Sequence, residues 1–283
     1  MKFILQESDI TKKHPLPVPF TFNQSSLQDF SDCERRFYLR YIEQLSWPAV
    51  ESEPVLENER QRVDGEIFHR LVQQSWLGLP VDKLTRFAET SNLTVWWENF
   101  LNYDFNLTGY KIYPELYLST QVGQNRLSAK FDLVAVGQNK VLIFDWKTFQ
   151  KHPRDEWLAI HYQTRVYRSL MVKAGGFLLK RNETIKPELV EMKYWLVNFP
   201  SQPVCLPYSS TQAERDWQHL NQLISQIETE EEFPLTADEK KCNFCLYRSY
   251  CDRGITAFIP EDETMIQMDM PVLVMDQISE IEF

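Results

Sequence analysis

The chain has 283 residues, enough for one large domain with attachments, and its 43% hydrophobic and 13% aromatic content can build a packed core. That excludes a disordered, collagen-like or low-complexity protein, and the short apolar runs exclude a transmembrane helix, which needs about 20 such residues in a row. The net charge is −10, but Gly254 to Phe283 carry acidic residues and no Lys or Arg, so the rest is close to neutral and a nucleic-acid partner is neither excluded nor supported.

Residues 1–22, with Pro15, Pro17 and Pro19, read as an extended lead-in. Phe3-Ile4-Leu5 is too short for a signal peptide, so the expectation is a soluble, cytoplasmic protein with no membrane partner. Ser25 or Ser26 is placed to cap a helix through Leu27, Phe30, Phe37 and Tyr41. Arg35, Arg36 and Arg40 on it could follow single-strand phosphates, with Phe37, Tyr38 or Trp47 as stacking surfaces, although a solvated helix face is the plainer reading. Helices are predicted over residues 57–77, with His69 near the middle, and over 80–105.

A strand follows from Tyr110 to Ser119, where Pro114 points to an edge or a bulge. Leu127–Val136 and Lys140–Thr148 make a hairpin about Gly137-Gln138-Asn139. After Pro153 a helix runs to Gly175-Gly176, then a strand over 189–199 and a helix from Thr211 to Glu228. The order predicts a mixed α/β layer arrangement. No GxxxxGK[ST] pattern is present, so no P-loop motor is expected in the chain.

Of five cysteines, Cys242, Cys245 and Cys251 lie within ten residues, Cys33 is far upstream, and Cys205 stands alone as a plain, buried or partly buried thiol. An odd count without a secretory signal argues for metal or cluster ligation over disulfides.

The strongest chemistry lies in the hairpin. Asp145 and Lys147 are two apart on a strand and share a face. If Gly137 pairs with Lys140, Asp132 falls opposite Asp145, where carboxylates repel unless a divalent cation sits between them or one keeps its proton. Oxygen ligands suit Mg²⁺ or Mn²⁺, and a cation there beside a lysine is a means of activating water against a phosphodiester.

Asp132 followed by Asp145-x-Lys147 on strand–turn–strand resembles the PD-(D/E)XK nuclease superfamily. Gly65-x-x-x-His69, Gln163-x-x-x-Tyr167 and the set Cys33, Cys242-x2-Cys245-x5-Cys251 are similar to motifs of its RecB-like branch, which includes CRISPR-adaptation and AddB-type nuclease domains with an iron–sulfur cluster. The match departs from the family at Phe144, where the name's Pro would stand, and at Ala129, where Gly is common.

The resemblance spans roughly residues 24–253. It implies a restriction-endonuclease-like core, a central mixed sheet flanked by helices, with N- and C-terminal segments joined at a four-cysteine cluster. The expected division is a lead-in at 1–22, one nuclease domain at 23–253 and an acidic tail at 254–283. It further implies that Asp132, Asp145 and His69 hold the metal with Glu115 directly or through water, and that the Trp146 carbonyl faces it. Lys147 would orient or deprotonate the attacking water, while Gln163 and Tyr167 approach the site and the DNA backbone. The four cysteines would bind a 4Fe–4S cluster, with zinc the alternative that spacing leaves open.

The implied activity is metal-dependent hydrolysis of DNA, exonuclease-type on single strands or free ends, in repair, recombination or foreign-DNA processing. A separate helicase or recombination subunit is the implied partner. A catalytically silent DNA- or partner-binding subunit of the same fold is the alternative, and a structural zinc module with an incidental hairpin is a third.

Overall fold

The computed structural model describes residues 16–45, 55–180, 184–243 and 245–254, with side chains from residue 60 onward in the second segment. Trp47 and nearly all of the acidic tail lie outside the described residues. Six strands form one mixed sheet among them: β1 (Thr21–Phe22), β2 (Lys111–Val122), β3 (Asn125–Val136), β4 (Val141–Lys147), β5 (Val190–Leu196) and β6 (Val204–Pro207). The long strand β3 organises it. β2 runs antiparallel along one side, so β2 is an edge and Pro114 costs no internal ladder bond. The other side of β3 is shared, with β1 parallel at Arg126–Leu127 and β4 antiparallel at Leu133–Val136. The sheet therefore forks between those two pairings. β1 draws the end of the predicted lead-in into the fold, and Leu16, Phe20 and Phe22 are buried.

β4 and β5 are parallel and need a crossover, supplied by α6 (Asp155–Ile160) and α7 (Tyr162–Ala174). The predicted single helix after Pro153 is thus two, separated at His161, whose backbone is extended. The N-terminal helix is also divided. Asn23, not Ser25 or Ser26, caps α1 (Gln24–Asp32) in a reciprocal box with Ser26; an extended Cys33 follows, then α2 (Glu34–Phe37) and a wider turn over Tyr38–Ile42. The helix read over 80–105 is interrupted too, giving α4 (Val81–Leu84) and α5 (Ser91–Asn102), capped by Thr90. α3 (Val55–Trp76) and α8 (Ser210–Thr229) match their predicted spans closely.

Two hydrophobic cores line the two faces of the sheet. One packs α1, α7 and α8 against Phe131, Val134, Val141 and Ile143; the other packs α3 and α5 against Leu133, Leu142, Phe144 and Trp146. Alternation along β4 is regular, but along β3 it reverses: Leu127, Ala129 and Phe131 belong to the first core, Leu133 and Ala135 to the second. The reversal falls at Asp132. On β2 it falls at the facing residue, Glu115, which adopts a left-handed backbone with φ +52°. The pairs Pro114–Leu133 and Leu116–Phe131 flank this point, so the β2–β3 ribbon turns over there without an inserted residue.

The N-terminal helical segment and the last described residues are tied together. Lys241 pairs with Asp32, Arg35 N–H donates to Pro234 O (3.1 Å), Tyr247 Oη donates to Leu45 O (2.9 Å), and Phe30, Phe37 and Tyr38 pack on Phe233. Arg36 and Arg40 are not DNA-facing as the sequence had allowed. Arg36 is buried between Asp29 and Asp32 at 2.8 Å from each, Arg40 binds Asp29 at 3.0 Å, and Phe37 is fully buried. Cys205 sits exposed on β6, not buried.

Candidate active site

The hairpin register is the one its turn dictates: Gly137 N–H bonds Lys140 O (2.8 Å) and Leu133 pairs with Phe144. Asp132 and Asp145 are the next residues in that register, at the point where β3 parts from β4. Main-chain pairing stops there and a side chain takes over, because Trp146 N–H donates to Asp132 Oδ2 at 2.9 Å. A short carboxylate at a fork in a sheet thus satisfies a backbone donor that would otherwise be lost.

His69 comes from α3. Gly65, one turn earlier, faces the segment after β4, where an added Cβ would stand in ordinary contact, 3.7 Å from Thr148 Oγ1. His69 Nδ1 is 3.3 Å from Asp132 Oδ1. Lys147 Nζ is 2.6 Å from Asp145 Oδ2, with the Tyr194 ring 5.6 Å from the ammonium. From α7, Gln163 Nε2 donates to Asp145 Oδ1 (2.7 Å) and to Tyr167 Oη (3.3 Å), and Tyr167 Oη donates to Lys130 O (2.8 Å). Tyr167 is buried against the Phe131 ring, so it braces the site from beneath. Glu115 faces Asp132 across the ribbon, but its Oε2 is held by Lys130 Nζ at 2.6 Å.

Asp145 is 1% exposed, and its carboxyl is pushed up to about 6. Burial is the main cause and the charge of Asp132 adds to it; Lys147 opposes both. Burial also acts to raise Asp132, but the charge and hydrogen bond of His69, the Trp146 N–H and Lys147 outweigh it, and Asp132 titrates below the ordinary range. For His69 burial acts downward and is outweighed by the two aspartates, so the ring holds its proton more firmly than usual. Two carboxylates a hairpin apart are therefore set in opposite directions.

By chemical type the donor set suits a hard divalent ion: the Asp132 carboxylate lies beside the His69 imidazole, and the buried Oδ2 of Asp145 is held by Lys147 Nζ. Among the described residues no three or more His, Cys, Asp or Glu side chains stand together in an arrangement that could hold a metal ion. This holds for the cysteines as well. Cys33, Cys242, Cys245 and Cys251 share one locality, close enough that Cys33 and Cys242 help to raise the neighbouring thiols, after burial as the main cause. The structure does not show the expected four-cysteine cluster; the N-terminal helical segment and the last described residues are joined by the ion pair, hydrogen bonds and rings given above.

Sequence reading missed three neighbours of the site. Tyr194 pairs with Asp145 across the parallel β4–β5 ladder, a relation visible only once the sheet order is known. His161, at the start of α7, is pushed down to about 4 by burial and then by Lys147. Lys130 had a signal, two residues before Asp132 on one strand face, that was not used.

No curated protein matches the sequence. Among solved structures, the chain is similar to a protein from Eubacterium rectale described as a putative exonuclease, at 8% identity and TM-score 0.50, with 94% of this chain and 98% of that one covered. It also aligns with the protein SSO0001 at 13% identity and TM-score 0.38, covering 83% and 87% of the two chains. The first likeness concerns the fold alone. The family model of the PD-(D/E)XK nuclease superfamily matches residues 21–105 and 80–252, the span that holds the whole hairpin, α3 and α7. The chain belongs to the PD-(D/E)XK nuclease superfamily.

Proposed function

We propose that this protein is a metal-dependent deoxyribonuclease of the RecB-like branch, acting on single-stranded or end-containing DNA. The observation that carries the reading is the convergence of Asp132, Asp145, His69, Lys147 and Gln163 at the fork between β3 and β4. Asp132, Asp145 and His69 would hold Mg²⁺ or Mn²⁺, with Glu115 as a further ligand. When bound, such an ion supplies Lewis-acid polarisation of a phosphodiester.

The chain's own residues do the rest. Lys147, placed beside Asp145 and only partly exposed, orients the attacking water and stabilises charge that develops on the phosphate. Gln163 fixes the rotamer of Asp145, and Tyr167 fixes Gln163. His69 keeps Asp132 ionised, and the Trp146 N–H adds to this and holds its carboxylate at the fork. Superfamily membership and the intact Asp–Asp–Lys set support cleavage over a silent binding subunit. The same reading assigns Cys33, Cys242, Cys245 and Cys251 to a 4Fe–4S site on their sequence motif alone, with zinc as its alternative, and a helicase or recombination subunit would supply strand separation.

The test is to purify the protein anaerobically and incubate it with labelled single-stranded DNA and Mn²⁺ or Mg²⁺, beside Lys147→Ala prepared identically. Wild type cleaves and the variant loses at least about a hundredfold in rate, the usual scale for a lost acid–base or electrostatic group. Equal cleavage by both would place the chemistry elsewhere. Iron and sulfide in the same preparation would support the cluster; stoichiometric zinc in a colourless protein would replace it.

A further inference from the structure

Each of the three carboxylates at the site has its own cationic or imidazole partner: Asp132 has His69, Asp145 has Lys147, and Glu115 has Lys130. The third pair differs from the others in two ways. In all three pairs the acid is the more buried partner, but Lys130 is the most exposed of the bases, with 45% of its side chain accessible against 34% for His69 and 22% for Lys147. The acid of the third pair also sits in a strained backbone, since a left-handed conformation in a residue with a Cβ persists only where the surroundings enforce it. That conformation turns the ribbon over so that Glu115 stands opposite Asp132.

Lys130 is anchored at its main chain. Its carbonyl accepts from Tyr167 Oη, which is linked through Gln163 to Asp145 Oδ1. A fixed stem beside the reacting carboxylates with a half-exposed ammonium at the end of four methylenes is a cation that can change partner without any backbone movement.

We propose that Lys130 is a substrate-contact residue held in reserve: it neutralises Glu115 in the resting site and passes to a backbone phosphate of the DNA strand when a divalent cation takes that carboxylate. This rests on the nuclease reading above. A cation entering among three acids competes with three bases for the same oxygens. His69 can turn its nitrogen to the ion and Lys147 remains beside the reacting centre. Lys130 is the most exposed of the three bases and so the one a phosphate outside the site can reach. One exchange then couples metal occupancy to phosphate affinity.

The test compares Mn²⁺ binding, followed by electron paramagnetic resonance, in wild type, Lys130→Met, Glu115→Gln, the double variant and Asp145→Asn. Removing the competitor for Glu115 tightens Mn²⁺ about two- to fivefold, the scale of a partly exposed ion pair, and the gain disappears when Glu115 is already Gln. A fluorescent single-stranded oligonucleotide is then titrated into Lys147→Ala protein with and without Lys130→Met. The second substitution weakens DNA binding by about threefold or more in Mn²⁺ and changes it little in metal-free buffer.

Unchanged or weaker Mn²⁺ binding in Lys130→Met overturns the proposal, as does a DNA defect of equal size with and without metal. If Asp145→Asn abolishes Mn²⁺ binding while Lys130→Met has neither effect, the site reading survives and this inference alone fails. If wild type takes up no Mn²⁺, both fall. Thermal unfolding of each variant separates misfolding from loss of the exchange.

Discussion

At the scale of single residues, Asp145 shows function held against stability. Its carboxyl is raised to about 6 by burial, despite Lys147, so the metal-free fold prefers the neutral form. The folded pKa lies above the unfolded one, so the folded state binds more protons between about pH 4 and 6, and stability falls as pH rises through that window. Above it the penalty is complete, on the order of 3 kcal/mol for a shift of this size. Asp145→Asn, which mimics the neutral acid, is therefore expected to unfold at higher temperature than wild type at pH 8 without metal and at the same temperature near pH 4, while losing cleavage. Calorimetry across that range decides it, and a less stable variant at pH 8 would show that Lys147 outweighs burial. The placement of Asp132 next to Asp145 was legible because a short turn fixes hairpin register. The pairing of Glu115 with Lys130 was not, because no residue in Tyr113-Pro114-Glu115-Leu116 signals a left-handed backbone.

At the scale of elements, the breaks were harder to read than the elements. Apolar spacing ran unbroken through Cys33 and His161, yet both are extended, and both mark the end of one helix and the start of the next. The break at Cys33 places Arg36 back over α1 between Asp29 and Asp32, a contact no periodicity announces. All three are at least nine-tenths buried, so removing the guanidinium takes away the cation that Asp29 and Asp32 share and leaves Asp29 to Arg40 and Asp32 to Lys241. Arg36→Leu is expected to cost about 3–5 kcal/mol in urea unfolding, whereas Lys241→Ala, at the partly exposed side of the same network, costs at most about 1. Equal losses would mean that the tie to Lys241 carries the network. The strands that become β4 and β5 and the crossover helices between them were readable as elements, but their parallel pairing was not read from the sequence. The fork in β3 was not, since β1 is two residues long and its partner lies 105 residues away.

At the scale of the whole molecule, a nuclease with a net charge of −10 must bring a polyanion to a carboxylate-lined site. The two cores explain how the site is held, one on each face of the sheet with the fork between them, but not how DNA approaches. Most of the excess negative charge lies in residues 254–283, which hold acidic side chains and no Lys or Arg. Charges more than about 10 Å apart are largely screened at 0.1 M salt, so this segment acts on association chiefly at low ionic strength. Deleting residues 255–283 is expected to speed capture of a single-stranded oligonucleotide severalfold at about 20 mM salt and to change nothing at about 500 mM, as stopped-flow anisotropy on the Lys147→Ala background would read. A segment that instead covers the site by contact would slow association at both salts, because short-range packing is not screened. Equal rates with and without the segment at low salt would leave the approach of DNA governed by the half-exposed cations around the fork, with Lys130 among them.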